Sequence, residues 1–281
     1  MRALWVDGLV GDVFLSTHQP IWKGETMAAT IAIIGALEKE VRGIRDALED
    51  AFVEETAGIC IAGGRYAGHD VVATTAGMGT VNVAAATQLL ISVYRADTVI
   101  FSGIAGGLNS ALHIDDIVIG ERLRYTDTDT ALIAESAPGL EEFASTPALV
   151  DLAEHVLRDR GYHDIGDSPQ CHDKRDRPGR GEPGCDAPGY LRGTIATGNR
   201  FVTGAEMRAA VVEATQADCA EMEGAAVAHI AAKNGVACLV LRAISDNCDE
   251  AYDAFCERDF DLDGYARRAS EIALEIVSRL D

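Results

Sequence analysis

Three carboxylates stand where buried strands end or helices begin, places from which a side chain can reach a ligand. Asp246 follows the apolar run Leu239-Val240-Leu241-Arg242-Ala243-Ile244-Ser245. Glu223 lies in Glu221-Met222-Glu223-Gly224, at the start of an alanine-rich segment with helical spacing. Glu40 lies about one turn after a short strand that ends at Gly35. Carboxyl groups so placed can donate a proton, activate water or hold sugar hydroxyls, the roles that hydrolysis of a glycosidic bond requires. Capping and the helix dipole also favour acidic residues at a helix start, so position alone does not choose between these explanations.

Two glycine clusters accompany the acids. Ala76-Gly77-Met78-Gly79 and Gly103-Ile104-Ala105-Gly106-Gly107 would let backbone approach a ligand closely, or simply make tight turns. Neither fits the dinucleotide fingerprint or the phosphate-binding P-loop, which argues against a nucleotide cofactor.

The elements that must carry these residues alternate between strand and helix. Strands are expected at Thr30 to Ile34, Ile59 to Ala62, Val71 to Thr75, Asp97 to Ser102, Asp116 to Gly120, Thr194 to Thr197 and Cys238 to Ile244. A turn is expected at Gly63-Gly64. Helices are expected at Glu38 to Leu48, Val81 to Tyr94, Pro147 to Asp159, Glu206 to Thr215, Glu223 to Asn234 and Tyr265 to Leu280, with Thr146 placed to cap the third. The pattern predicts one α/β domain over 27–281, with a central mixed, largely parallel twisted sheet and helices on both faces. Ligands of such sheets sit at the carboxyl ends of strands, so the residues after Ile34, Ser102, Thr197 and Ile244 are the ones to inspect. Residues 1–26 read as an extension or a mis-assigned start ahead of Met27. Residues 164–189, rich in Gly, Pro, Asp and Arg, read as a long surface loop. That loop holds Cys171, His172 and Cys185 but no paired Cys-x-x-Cys spacing, so a solvated loop is expected there and no metal site.

The chain has 281 residues, of which 48% are hydrophobic, enough for a full core. Its 45 acidic against 24 basic residues give a formal net charge of −21. The basic total includes four lysines, and an acidic, lysine-poor surface repels nucleic acid and anionic membrane. Self-repulsion of this size is screened by salt, which points to a salt-rich cytosol of the halophilic kind. Seven cysteines, an odd number, with no secretion signal, point to a reducing cytoplasmic compartment. No apolar stretch reaches the length of a membrane span.

Six ordered segments over residues 31–250 resemble the nucleoside phosphorylase superfamily, and in particular its 5'-methylthioadenosine/S-adenosylhomocysteine nucleosidase branch. They are Ile33 to Val41, Gly77 to Asn82, Ser102 to Leu108 with Asp116 to Val118, Thr197 to Val202, Glu221 to Ala226 and Arg242 to Asp246. The resemblance implies hydrolysis of an adenine nucleoside by water, without metal or organic cofactor, in a homodimer whose partner closes part of the 5' pocket. It implies that Asp246 protonates adenine at N7 and that Glu40 positions and activates the water. Glu223 would hold the ribose hydroxyls, and Met222 would pack on the sugar. Phe201 would stack on adenine while the Val202 backbone reads the base edge. Ser245 and Arg242 would support Asp246 and the water site, and Ala105 and Gly106 would line the substrate pocket. Ile104 and Asn199 depart from the serine and aspartate usual in the bacterial enzymes, and Tyr252 to Asp263, with Phe255, matches the 5' lid only loosely.

Three rivals remain at this stage. A phosphorylase would share Asp246 and Glu223 but needs arginines near the glycine loops, and none lies between Gly77 and Tyr94 or between Ser102 and Glu121. Another nucleosidase, for 5'-deoxyadenosine or futalosine, differs only at the 5' pocket. A non-catalytic nucleoside-binding protein on this fold would be expected to lack one of the acids.

Overall fold

The apolar runs form the middle of one mixed sheet, and the acidic or small-residue segments between them form helices and turns. A computed structural model describes residues 30–129, 131–132, 142–166, 187–249 and 262–280. The elements begin with β1 (Thr30–Gly35), α1 (Glu38–Asp46), β2 (Glu49–Thr56), β3 (Ile59–Tyr66), β4 (His69–Thr75), α2 (Thr80–Ser92), β5 (Ala96–Gly107) and β6 (Ile117–Tyr125). There follow β7 (Phe143–Ala144), α3 (Pro147–Asp159), β8 (His163–Asp164), β9 (Gly189–Thr197), α4 (Ala205–Thr215), β10 (Cys219–Glu221), α5 (Gly224–Asn234), β11 (Ala237–Asp246) and α6 (Leu262–Ser278).

The strand order is β10-β9-β6-β11-β5-β1-β4-β3-β2. β10 also pairs antiparallel with the end of β5, Cys219 with Gly107 and Ala220 with Gly106. Five strands therefore close a ring, from which β1, β4, β3 and β2 extend. Parallel pairings join β1 to β4 and β5, β11 to β5, and β9 to β6, while β11 runs antiparallel to β6. Alternation along each strand sends side chains to two cores. Ile31 and Ile33 pack with Val41 and Ile44 of α1, Val150 and Ala153 of α3, and Ala269 and Ala273 of α6. Ala32 and Ile34 pack with Val83 and Leu90 of α2 and Ala225, Val227 and Ala231 of α5. Each fully buried aliphatic side chain contributes about 1.5–3 kcal/mol, and these two cores hold the strand ends that carry the site.

Several elements differ from the sequence expectation. Gly63 and Gly64 are inside β3, not in a turn; the chain reverses at Ala67-Gly68, which take positive φ of 50° and 90°. Glycine is required at 63 because the Phe52 ring lies on it: an added Cβ would come 2.2 Å from the ring. β2, β7, β8 and β10 lie outside the expected strands. Thr146 precedes α3 but makes no side-chain cap; its hydroxyl accepts the Cys238 amide at 3.0 Å and ties the helix to β11. The ends of the expected 164–189 loop are drawn together, His163 and Asp164 pairing parallel with Gly189 and Tyr190. Cys171, His172 and Cys185, residues 1–26 and Phe255 lie outside the described residues. No helix among the described residues is long and apolar enough to cross a membrane.

Candidate active site

A cavity of about 390 Å³ opens at the ends of β1, β5, β9, β10 and β11. Its wall includes Glu40, Ala105, Gly106, Phe201, Val202, Met222, Glu223, Ser245 and Asp246, nine of the ten residues singled out from sequence. It also includes Ala36, Leu37, Met78, Ile104, Glu221 and Cys248. The tenth, Arg242, is not part of that wall. It is 1% exposed and lies behind the wall, bonded to Glu221.

Asp246 is aimed by an irregularity in its strand. The register of β11 against β5 shifts between Ile244 and Asp246, so Asp246 meets Gly106; such a bulge re-aims a side chain. The Ser245 hydroxyl donates to Asp246 Oδ2 at 2.9 Å and the Cys248 amide donates to Oδ1 at 2.8 Å. Gly106 makes room for this arrangement, because a Cβ there would come 2.2 Å from Cys248 Sγ and 2.8 Å from Asp246 Oδ1. Both carboxylate oxygens are thus fixed before any ligand arrives.

Glu40 is in the first turn of α1, where it both closes the helix start and lines the cavity. Its Oε2 accepts the Leu37 amide at 2.8 Å, which closes the helix start, and its Oε1 accepts the Ile104 amide at 3.2 Å across the cavity. Burial pushes its carboxyl above the ordinary range, opposed by the Arg242 charge and by these backbone bonds. Glu223 immediately precedes α5 and makes no side-chain cap. Its Oε1 instead accepts the Gly79 amide at 2.7 Å. Gly79 takes φ of 95°, which a side chain would resist, and so turns its N–H toward the carboxylate. Burial, then the neighbouring Glu221 charge, raise Glu223 to about 7.

The turn at Gly79 is itself anchored. Asn199 Oδ1 accepts both the amide and the hydroxyl of Thr80, at 3.1 and 2.9 Å, and the Asn199 amide donates to Asp127 Oδ2 at 3.1 Å. The segment that carries Phe201 and Val202 is thereby joined to the turn that faces Glu223. Phe201 remains 41% exposed at the cavity mouth.

Sequence reasoning passed over Glu221 as a site residue. A signal for it existed: Arg242 interrupts an apolar strand, and a buried guanidinium requires a buried anion. Among the described residues no cluster of three or more His, Cys, Asp or Glu is arranged to hold a metal ion.

Four carboxylates, Glu40, Glu221, Glu223 and Asp246, thus share the wall of one apolar cavity at strand ends, where they are able to donate and accept protons. Residues 30–279 match the model of the phosphorylase superfamily, and the chain belongs to that family. A 5'-methylthioadenosine/S-adenosylhomocysteine nucleosidase of Bacillus thuringiensis is 34% identical over 77% of this chain and 85% of its own. The nucleosidase of that name from Neisseria meningitidis, solved with methylthio-immucillin-A, shares 29% identity with a TM-score of 0.74, over 89% of this chain and 99% of its own. The futalosine hydrolase of Helicobacter pylori shares 26% identity with a TM-score of 0.73, over 90% of this chain and 99% of its own.

Proposed function

We propose that this chain hydrolyses the N-glycosidic bond of 5'-methylthioadenosine and/or S-adenosylhomocysteine, releasing adenine and the 5'-thio-ribose. The observation that carries it is the convergence of Asp246, Glu40 and Glu223 on one cavity whose wall also holds Met222 and Phe201. In this reaction Asp246 gives a proton to adenine N7 as the N9–C1' bond breaks, so the base leaves neutral. The ribose becomes oxocarbenium-like, and buried carboxylates favour that positive charge. Glu223 accepts from the ribose hydroxyls, and Met222 packs on the sugar. Water adds to C1' and loses its proton to Glu40. Phe201 stacks on the base, the Val202 backbone meets its edge, and Ala105 and Gly106 line the pocket beneath it. Ser245 orients Asp246, and Arg242 acts from behind the wall through its charge.

The domain is read as 27–281, supported by the family match from residue 30, with 1–26 an extension or a mis-assigned start. A homodimer is supported by apolar side chains left open beside the cavity mouth: Met78 is 61% and Val81 80% exposed. A reducing cytoplasm is proposed from the odd number of cysteines, seven. A futalosine-type substrate is the second reading, favoured by the Helicobacter pylori likeness. Adenine release from 5'-methylthioadenosine in concentrated KCl, with and without phosphate, tests the proposal. Release without phosphate, yielding free methylthioribose, is expected. Release that needs phosphate and yields a sugar 1-phosphate would make the protein a phosphorylase.

A further inference from the structure

We propose that Glu221 is a positioning residue which, by engaging Arg242, sets whether Glu223 is charged and hence the pH at which the site can hold a ribose. This rests on the reading above, in which Glu223 accepts from the sugar hydroxyls.

Glu221 and Glu223 flank Met222 where β10 turns into α5, and both are buried. Five groups donate to the Glu221 carboxylate. They are the Thr197 hydroxyl, the amides of Glu223 and Gly224 at 3.1 and 2.8 Å, and Arg242 through Nε at 3.1 Å and through Nη2. Arg242 is held on its other sides too. Its Nη1 donates to the Leu241 carbonyl at 3.0 Å, and its plane covers the Phe101 ring at 4.0 Å. Glu223, one residue beyond Met222, is bonded by the Gly79 amide instead.

The charges facing Glu223 come from several elements. Glu221 lies on β10, Arg242 and Asp246 on β11, and Glu40 on α1. The Gly79 amide stands at the start of α2, Arg200 is exposed at the cavity mouth, and Tyr125 on β6 lies near Glu221. Burial and the Glu221 charge disfavour an ionised Glu223, while Arg242 and the Gly79 amide favour it. Replacing Glu221 by glutamine keeps the shape but removes one like charge. It also releases Arg242 from its nearest anion. Both changes favour an ionised Glu223, so their signs do not compete.

An ionised Glu223 accepts from two hydroxyls, whereas a protonated one loses an acceptor site. The rate kcat/KM for adenine release should therefore climb as pH rises through the Glu223 transition, with a midpoint near neutral pH in the native protein. In Glu221→Gln the midpoint should move acidward by about one pH unit or more. Glu221→Asp, which retains the charge, should lose rate but keep the native midpoint. A Glu221→Gln profile lowered equally at every pH, with its midpoint unmoved, would overturn the proposal and leave Glu221 a structural residue. If Glu221→Gln does not fold, carbon-13 NMR of the Glu223 carboxyl in the native protein decides, with Glu223→Gln assigning the signal. A midpoint near neutrality that Glu221→Asp, which keeps the charge, retains supports the proposal, and a native midpoint near the ordinary 4.5 defeats it. That titration needs no turnover, so a native protein that releases no adenine would refute the reading of the site without deciding the role of Glu221.

Discussion

Gly103→Ala is the sharpest test of Glu40, because it should separate stability from activity. A Cβ at 103 would lie 2.7 Å from Glu40 Oε1, 3.1 Å from its Cδ and 3.0 Å from Arg242 Nη1. Arg242 is bonded on several sides, so the carboxylate is the group that yields. Ordinary contact begins at 3.4 Å, so Oε1 must retreat by roughly 0.7 Å. If the retreat runs along the Ile104 bond, that bond lengthens from 3.2 Å to about 3.9 Å and is lost. The far end of a flexible side chain moves at small cost, so the melting temperature should fall only slightly. A displacement approaching 1 Å at a reacting group, however, costs on the order of 10–100-fold in rate. The assay is kcat for adenine release at saturating 5'-methylthioadenosine, alongside thermal melting. A folded Gly103→Ala enzyme with kcat within about twofold of native would refute the claim that the placement of Glu40 governs water attack.

Other substitutions and conditions carry their own expectations. Asp246→Asn keeps the Ser245 and Cys248 contacts near their places but removes the proton donor. Turnover should drop by about 10²–10⁴-fold with adenine binding retained, and steady-state kinetics with calorimetric binding would show it; full turnover would defeat the assignment. Glu223 is held up at about 7 in the fold against 4.5 outside it, so the folded state binds the extra proton between those values. Its contribution to stability is therefore present below 4.5 and lost as pH rises through about 7. Glu223→Gln should gain melting temperature over native between pH 5 and pH 8, and parallel melting curves would contradict the sign. With a net charge of −21, the native melting temperature should climb between about 0.1 and 2 M KCl as repulsion is screened; a flat dependence would remove the inference of a salt-rich setting.

The sequence made the buried strands legible because β1, β5 and β11 are short apolar runs closed by glycine or acid. The carboxylates at their ends were legible through those runs. β2 was not, since Glu49-Asp50-Ala51-Phe52-Val53-Glu54-Glu55-Thr56 is an edge strand whose alternation is masked: Val53 is exposed while Glu54 turns inward to accept the Tyr94 hydroxyl. Gly63-Gly64 was misread because glycine marks turns and close packing alike, and the Phe52 ring above it comes from that unseen strand. The position of Arg242 was the remaining gap. Strand periodicity says that its side chain leaves one face of β11. It does not say that Glu221, 21 residues earlier, waits there to take it.

That pairing bears on the choice between water and phosphate as nucleophile. Arg242 is the buried cation nearest the reacting groups, and a free guanidinium there would suit a phosphate. Glu221 already engages it through two nitrogens, so those donors are taken and are not offered to a phosphate. The remaining groups, Glu40, Glu223 and Asp246, are acids inside a cavity of low polarity, where charge interactions are several times stronger than in water. A phosphate dianion entering there would meet like charge from three buried acids, offset only in part by Arg200, which is exposed at the mouth. A water molecule would meet no such penalty, and a sugar acquiring positive charge would be stabilised. The same arrangement adds to what burial does to Glu223: with Arg242 bonded to Glu221, a second acid beside that carboxylate is harder still to ionise.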